Sequence, residues 1–146
     1  MMPSVYLARY REALASYGAS AALEPETVLE QFGGTTLYYT PFEHVNRHAK
    51  LVLVGITPGL NQIRAAYEAT QRYIQQGYAE YEVLARVKSE TAFDGPIRSN
   101  IIQLLKTYRI DQLIGVDDPA AFWECAAAKV HATSLVPHAA FVRGKG

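Results

Sequence analysis

Cysteine is nearly absent from this chain. Cys125 stands alone, in Trp123-Glu-Cys-Ala-Ala-Ala128, which excludes an internal disulfide and any four-cysteine zinc or iron–sulfur centre. Its alanine-rich setting reads as that of a buried, inert thiol. Long apolar runs are missing too: none approaches the ~20 residues that cross a bilayer, and Met1-Met-Pro-Ser4 has neither region of a signal peptide. A cytoplasmic protein without a membrane partner is expected. An excess of charge is lacking as well. Fourteen Lys and Arg balance fourteen Asp and Glu, which argues against indiscriminate attraction to polyanions. The charge is slightly uneven, at −2 over residues 1–96 and +2 over residues 97–146, and this permits nucleic-acid binding without indicating it. There is no internal repeat, and nothing in the sequence sets an oligomeric state.

What remains is the composition of one folded domain. Across 146 residues, 49% are hydrophobic and 19% charged, enough apolar material for a core. Ser4 is placed to cap a helix carrying Tyr6, Leu7, Tyr10, Leu14 and Tyr17, with Gly18 to end it. Pro25 is read as opening a short helix that presents Val28, Leu29 and Phe32 and stops at Gly33-Gly34. Residues 35–39 are β-prone and closed by Pro41, as an edge strand or extended segment would be.

Residues 51–54 are apolar throughout, as expected of a strand covered by helices on both faces. Helices follow, marked by Ile63, Ala66, Tyr67, Thr70 and Ile74; then by Tyr81, Leu84, Ala85 and Lys88; then, after Asp94-Gly95-Pro96, by the stripe Ile97, Ile101, Leu104, Leu105 and Tyr108. Asp118-Pro119 opens another, through Phe122 and Trp123. Residues 130–137 read as a second strand. Strand, helices, strand implies a crossover and an α/β fold: a parallel sheet flanked by helices, helix-rich and with few strands. So thin a sheet suggests a single domain, 1–146, that is incomplete at its C-terminal end.

The most informative stretch is Lys50-Leu-Val-Leu-Val-Gly-Ile-Thr-Pro-Gly-Leu-Asn-Gln62, where a strand runs into a Gly-x-x-Pro-Gly turn and a helix start. Gly55 and Gly59 permit close approach by a ligand, and Pro58 stiffens the bend. The turn should present backbone N–H groups with Ile56, Thr57, Asn61 and Gln62 at the carboxyl edge of the sheet, a place suited to a polar or anionic ligand. It has neither the Gly-Lys-Ser/Thr of a P-loop nor the three-glycine dinucleotide fingerprint.

Gly55-Ile-Thr-Pro-Gly59 resembles the first motif of the uracil-DNA glycosylase superfamily, whose mismatch-specific and single-strand-selective branches carry Gly-x-Asn-Pro-Gly. Ala92-Phe-Asp-Gly-Pro96 with Leu104 and Leu105, and Thr133-Ser-Leu-Val136, match two further motifs in order. The resemblance covers roughly residues 45–137. It implies a three-layer α/β/α fold and a base-excision enzyme that turns a uracil or modified base out of single- or double-stranded DNA and hydrolyses its N-glycosidic bond.

On that resemblance Phe93 is the ring that stacks on the base; a core or helix-staple role is the alternative. Ser134 stands where the family has an asparagine that reads the base edge, and a hydroxyl cannot make the paired contacts of an amide. Thr57 replaces the asparagine that orients water, and it lacks useful basicity. Asn61 and Gln62 are left to position water, or to cap the helix. The family's late His-Pro-Ser loop is absent, and His138, in Val-Pro-His-Ala, reads as a surface residue at a strand end. A catalytically inactive nucleobase or nucleic-acid binding module on the same fold is the alternative function. No cofactor is implied.

His44 and His48 are spaced like helical metal ligands but lack a third partner, so no metal site is expected. His131 reads as a hydrogen-bonded structural residue within a strand. The tyrosines, among them Tyr67, Tyr73, Tyr78 and Tyr81, read mainly as core edges with solvated hydroxyls.

Overall fold

The computed structural model describes residues 5–143. Helix α1 (Val5–Tyr17) buries Leu7, Tyr10 and Leu14, one stripe at helical spacing, and leaves Tyr6 and Tyr17 exposed. It ends at Gly18, whose φ of +50° suits glycine and whose missing side chain makes room for the Gln71 amide. Ser4, the expected cap, lies outside the described residues.

The expected helix after Pro25 is a single 3-10 turn, Pro25–Thr27, followed by strand β1 (Val28–Phe32). Gly33-Gly34 does not end a helix; it forms the two-residue loop of a hairpin with β2 (Thr35–Tyr38), Phe32 standing opposite Thr35. Val28, Leu29 and Phe32 fit a helical stripe as well as a strand, and pairing with the β-prone Thr35–Tyr38 run decides between them. Nor is β2 an edge: it lies between β1 and a strand not anticipated, β5 (Ala139–Val142), in an antiparallel sheet of order β1-β2-β5.

The chain then enters β3 (Leu51–Gly55), α2 (Leu60–Gln75), α3 (Glu80–Thr91), α4 (Pro96–Thr107), the short α5 (Ile110–Leu113) and a 3-10 turn, Pro119–Trp123, capped by the Asp118 carboxylate. It closes with β4 (Val130–Ser134) and β5 (Ala139–Val142). Strands β3 and β4 run parallel, Leu51 beside Val130 and Gly55 beside Ser134. The protein is therefore mixed α/β, with one parallel pair beside a small antiparallel sheet rather than a single parallel layer.

Among the described residues, two apolar clusters hold the fold together. The larger joins α1, α2 and α3 to the antiparallel sheet through Leu7, Leu14, Tyr39, Ile63, Tyr67 and Val83. Tyr67 is wholly buried, its hydroxyl donating to the Tyr39 carbonyl, not solvated. Tyr73 and Tyr78 do sit at an edge, beneath the Arg86 guanidinium. The smaller cluster packs Leu105, Val116 and Phe122 against Leu51, Leu53 and Val130, on one face of the parallel pair.

The other face is not covered as expected. Val52 and Val54 are 54% and 55% exposed, because α2 and α3 pack on each other and α1 instead of over β3. The α4 stripe is divided too: Leu105 is buried in the smaller cluster, while Ile97, Leu104 and Tyr108 are exposed. Cys125 is also exposed, not buried, in the irregular turn after Trp123. Among the described residues no helix is long and apolar enough to cross a membrane.

Candidate functional site

Parallel pairing sets Gly55 and Ser134 side by side at the carboxyl ends of β3 and β4. The ladder continues beyond the strands: Leu135 N–H donates to the Gly55 carbonyl and Val136 N–H to that of Ile56, each at 2.9 Å. Both loops therefore leave the sheet together.

Phe93 reaches this point from the α3–α4 turn. Its φ of +55° is a left-handed conformation that a bulky residue rarely adopts. The turn is fixed on both sides. The Ala92 carbonyl accepts from Trp123 Nε1 at 3.0 Å and from an Arg98 guanidinium nitrogen at 2.9 Å, and that same nitrogen donates to the Glu90 carbonyl at 2.6 Å. So held, the ring lies over Gly55: a Cβ there would sit 2.9 Å from Phe93 Cε1 and 3.4 Å from Ser134 Oγ. Gly55, Phe93 and Ser134 thus meet, although they come from three distant segments.

The other turn residues are placed differently. Thr57 Oγ1 donates to the His138 carbonyl at 3.0 Å and accepts from Ala140 N–H at 3.1 Å. Its only proton is taken up in tying the turn to β5, so it is not free to be given to a water. Gln62 Oε1 accepts from Gly59 N–H at 3.1 Å, half of a capping box at the start of α2. Asn61 stands exposed in the first turn of that helix and is not its cap; Gly59 is. Gly59 has an ordinary φ of −87° and open space where a Cβ would go, so neither conformation nor crowding demands glycine there. Pro58 is buried, and Ile56 is 77% exposed beside the exposed Leu135.

His138 is half-buried and packed, not simply at the surface. It packs against the rings of Tyr6 and Tyr39, and its Nδ1 accepts from Thr40 N–H at 3.2 Å. Burial lowers its pKa. His131 fits its expected role, with Nδ1 accepting from Asn46 N–H at 3.4 Å. His44 and His48 lie on a non-helical segment, so the i,i+4 spacing does not bring them onto one face.

One cluster was not foreseen. Lys88 is only 5% exposed on α3 and donates to the carbonyls of Phe42 and His44 at 2.9 and 2.7 Å. Burial depresses its pKa to about 8. The signal was present in the sequence: Lys88 follows Leu84 by four residues, on the apolar stripe of its helix.

The chain is similar to the "uncharacterized protein YoxB" of Bacillus subtilis (strain 168), with 31% identity over 118 residues. The match takes in 80% of this chain and 46% of that protein, so the chain spans less than half the length of its relative. No family model matches. No solved structure matches.

Proposed function

We propose that Gly55, Phe93 and Ser134 form a recognition site for a nucleobase turned out of DNA, on a fold resembling that of the uracil-DNA glycosylases. What supports this is the meeting of the Phe93 ring and the Ser134 hydroxyl over Gly55. A ring offers a flat surface for stacking, and a hydroxyl both gives and accepts a hydrogen bond at a base edge. Gly55 allows the ring to close on the strand end without a clash.

The surrounding chemistry favours binding over hydrolysis. Cleaving an N-glycosidic bond needs a polar group that orients water and a means of stabilising the departing base. The Thr57 hydroxyl is engaged by His138 and Ala140, and the Gln62 amide oxygen by Gly59. The glycosylase reaction is the second reading, favoured by the order of the three motifs and by the exposed Asn61 amide at the start of α2.

Oligonucleotides bearing uracil, hypoxanthine or a modified pyrimidine separate the two. Binding by fluorescence anisotropy that falls with salt and is weakened by Phe93→Leu, without alkali-labile abasic sites, is the expected result. Abasic sites that vanish in Asn61→Ala would establish the second reading. Binding that Phe93→Leu leaves unchanged, or no binding at all, would sink the site.

A further inference from the structure

Away from the Gly55 turn, a cavity of about 290 Å3 lies beside β4, between α3, the segment around His44 and the Pro119–Trp123 turn. Its floor is apolar: Ala85, Ala127, Ala128, Val130 and Ala132, with the rings of Phe122 and Trp123. Trp123 is held in place, its Nε1 bonded to the Ala92 carbonyl and its ring covered by the Arg98 guanidinium 5.3 Å from the centroid. The ring is therefore a fixed wall.

Among the described residues, the titratable ones lining this cavity are His44, Lys88 and His131, with no carboxylate. Each has unused donor capacity. Lys88 has three N–H bonds, of which two go to the Phe42 and His44 carbonyls. His131 accepts at Nδ1 from Asn46 N–H, so its neutral ring carries the proton on Nε2. Asn46 is fixed by its own amide, which donates to the Ala128 and Val130 carbonyls at 2.8 and 2.9 Å. The Glu43 carboxylate acts electrostatically on Lys88, and it accepts from the Tyr39 hydroxyl.

A half-buried concavity with flat apolar walls, three basic side chains and the neutral polar groups of Ser89 and Asn46 around it is suited to one kind of ligand. We infer that this cavity binds a small organic anion, a carboxylate or a phosphate monoester on a flat apolar body. Lys88, His131 and His44 surround the anionic group, and Trp123 and Phe122 flank the body. Its volume, near the lower end for ligand pockets, admits a single substituted ring and little more. An anion there adds a second negative charge beside the buried ammonium, on which the Glu43 carboxylate already acts.

The test is an NMR titration of the histidine imidazoles with benzoate, phenyl phosphate and inorganic phosphate, at constant ionic strength and neutral pH. Saturable shifts of His44 and His131, with the exposed His48 still, are expected for an aromatic anion, and more weakly for inorganic phosphate. Tighter binding of benzoate identifies a carboxylate ligand; tighter binding of phenyl phosphate identifies a phosphate monoester. Ala85→Leu fills the cavity without changing its charge and should weaken binding about tenfold or more. Lys88→Met should do the same; should it fail to fold, Ala85→Leu carries the test alone. Shifts shared equally by His48, no saturable shift with any probe, or unchanged affinity in Ala85→Leu would each overturn the inference.

Discussion

The Phe93 ring occupies the space that a side chain on Gly55 would need, its Cε1 lying 2.9 Å from the position of the absent Cβ. The contact joins the end of a strand to a turn between two helices. Gly55→Ala should therefore displace the ring or the strand, costing about 1–3 kcal/mol in stability. It should weaken oligonucleotide binding as well. Urea denaturation and anisotropy on the same variant check both, and a fully stable Gly55→Ala protein would mean that the ring moves aside freely.

Phe93 holds a left-handed backbone conformation, with φ +55°, that costs any residue with a β-carbon. Removing the ring and relieving the backbone are separable. Phe93→Ala loses the ring and keeps the strain, whereas Phe93→Gly loses both. The glycine variant should be more stable than the alanine variant by roughly 1 kcal/mol, while both lose base binding equally. Urea midpoints of the pair give the comparison.

Thr57 acts through both its donor and its acceptor, to His138 and Ala140. Thr57→Val keeps the shape and removes the hydroxyl, leaving the Ala140 N–H without its partner at a cost of about 1–2 kcal/mol. Thr57→Ser should restore most of that stability. If Thr57 were instead a catalytic group, Thr57→Val would abolish base release with the melting temperature unchanged.

Stability should depend on pH in two windows. Burial lowers the pKa values of His44, His131 and His138 from 6.5. The unfolded chain then takes up protons before the folded one as pH falls below 6.5, and stability drops on acidification. Lys88, lowered from 10.5 to about 8 by burial, behaves alike at higher pH. Between those values the unfolded lysine holds its proton more fully than the folded one, so stability rises with pH across that window, by on the order of 1–3 kcal/mol. Denaturation midpoints measured against pH should show both slopes. Lys88→Met should flatten the upper one alone, and His138→Asn should reduce the lower.

The sequence alone determined the local elements whose patterns admit one answer. Ile63, Ala66, Tyr67 and Thr70 recur at helical spacing and are all buried on α2; Gly95-Pro96 starts α4 because proline suits a first turn. The apolar run at Leu51 and the strand at Val130 were legible for the same reason. The Val28–Phe32 strand was not, since its apolar spacing fits either structure until Thr35–Tyr38 pairs with it. The short β5, with two alanines, carries little signal of its own and exists through its pairing with β2.

Motif order singled out Gly55, Phe93 and Ser134, but only the tertiary structure brought them together, through the β3–β4 register and the anchored Ala92 carbonyl. It also gave the Thr57 hydroxyl and the Gln62 amide oxygen backbone partners, and it buried Lys88 against the carbonyls of a distant segment. Such outcomes depend on which polar groups find each other across long stretches of chain. Periodicity records which face of an element is apolar; it holds no information about the partner that a hydroxyl, an amide or an ammonium meets once the faces have packed.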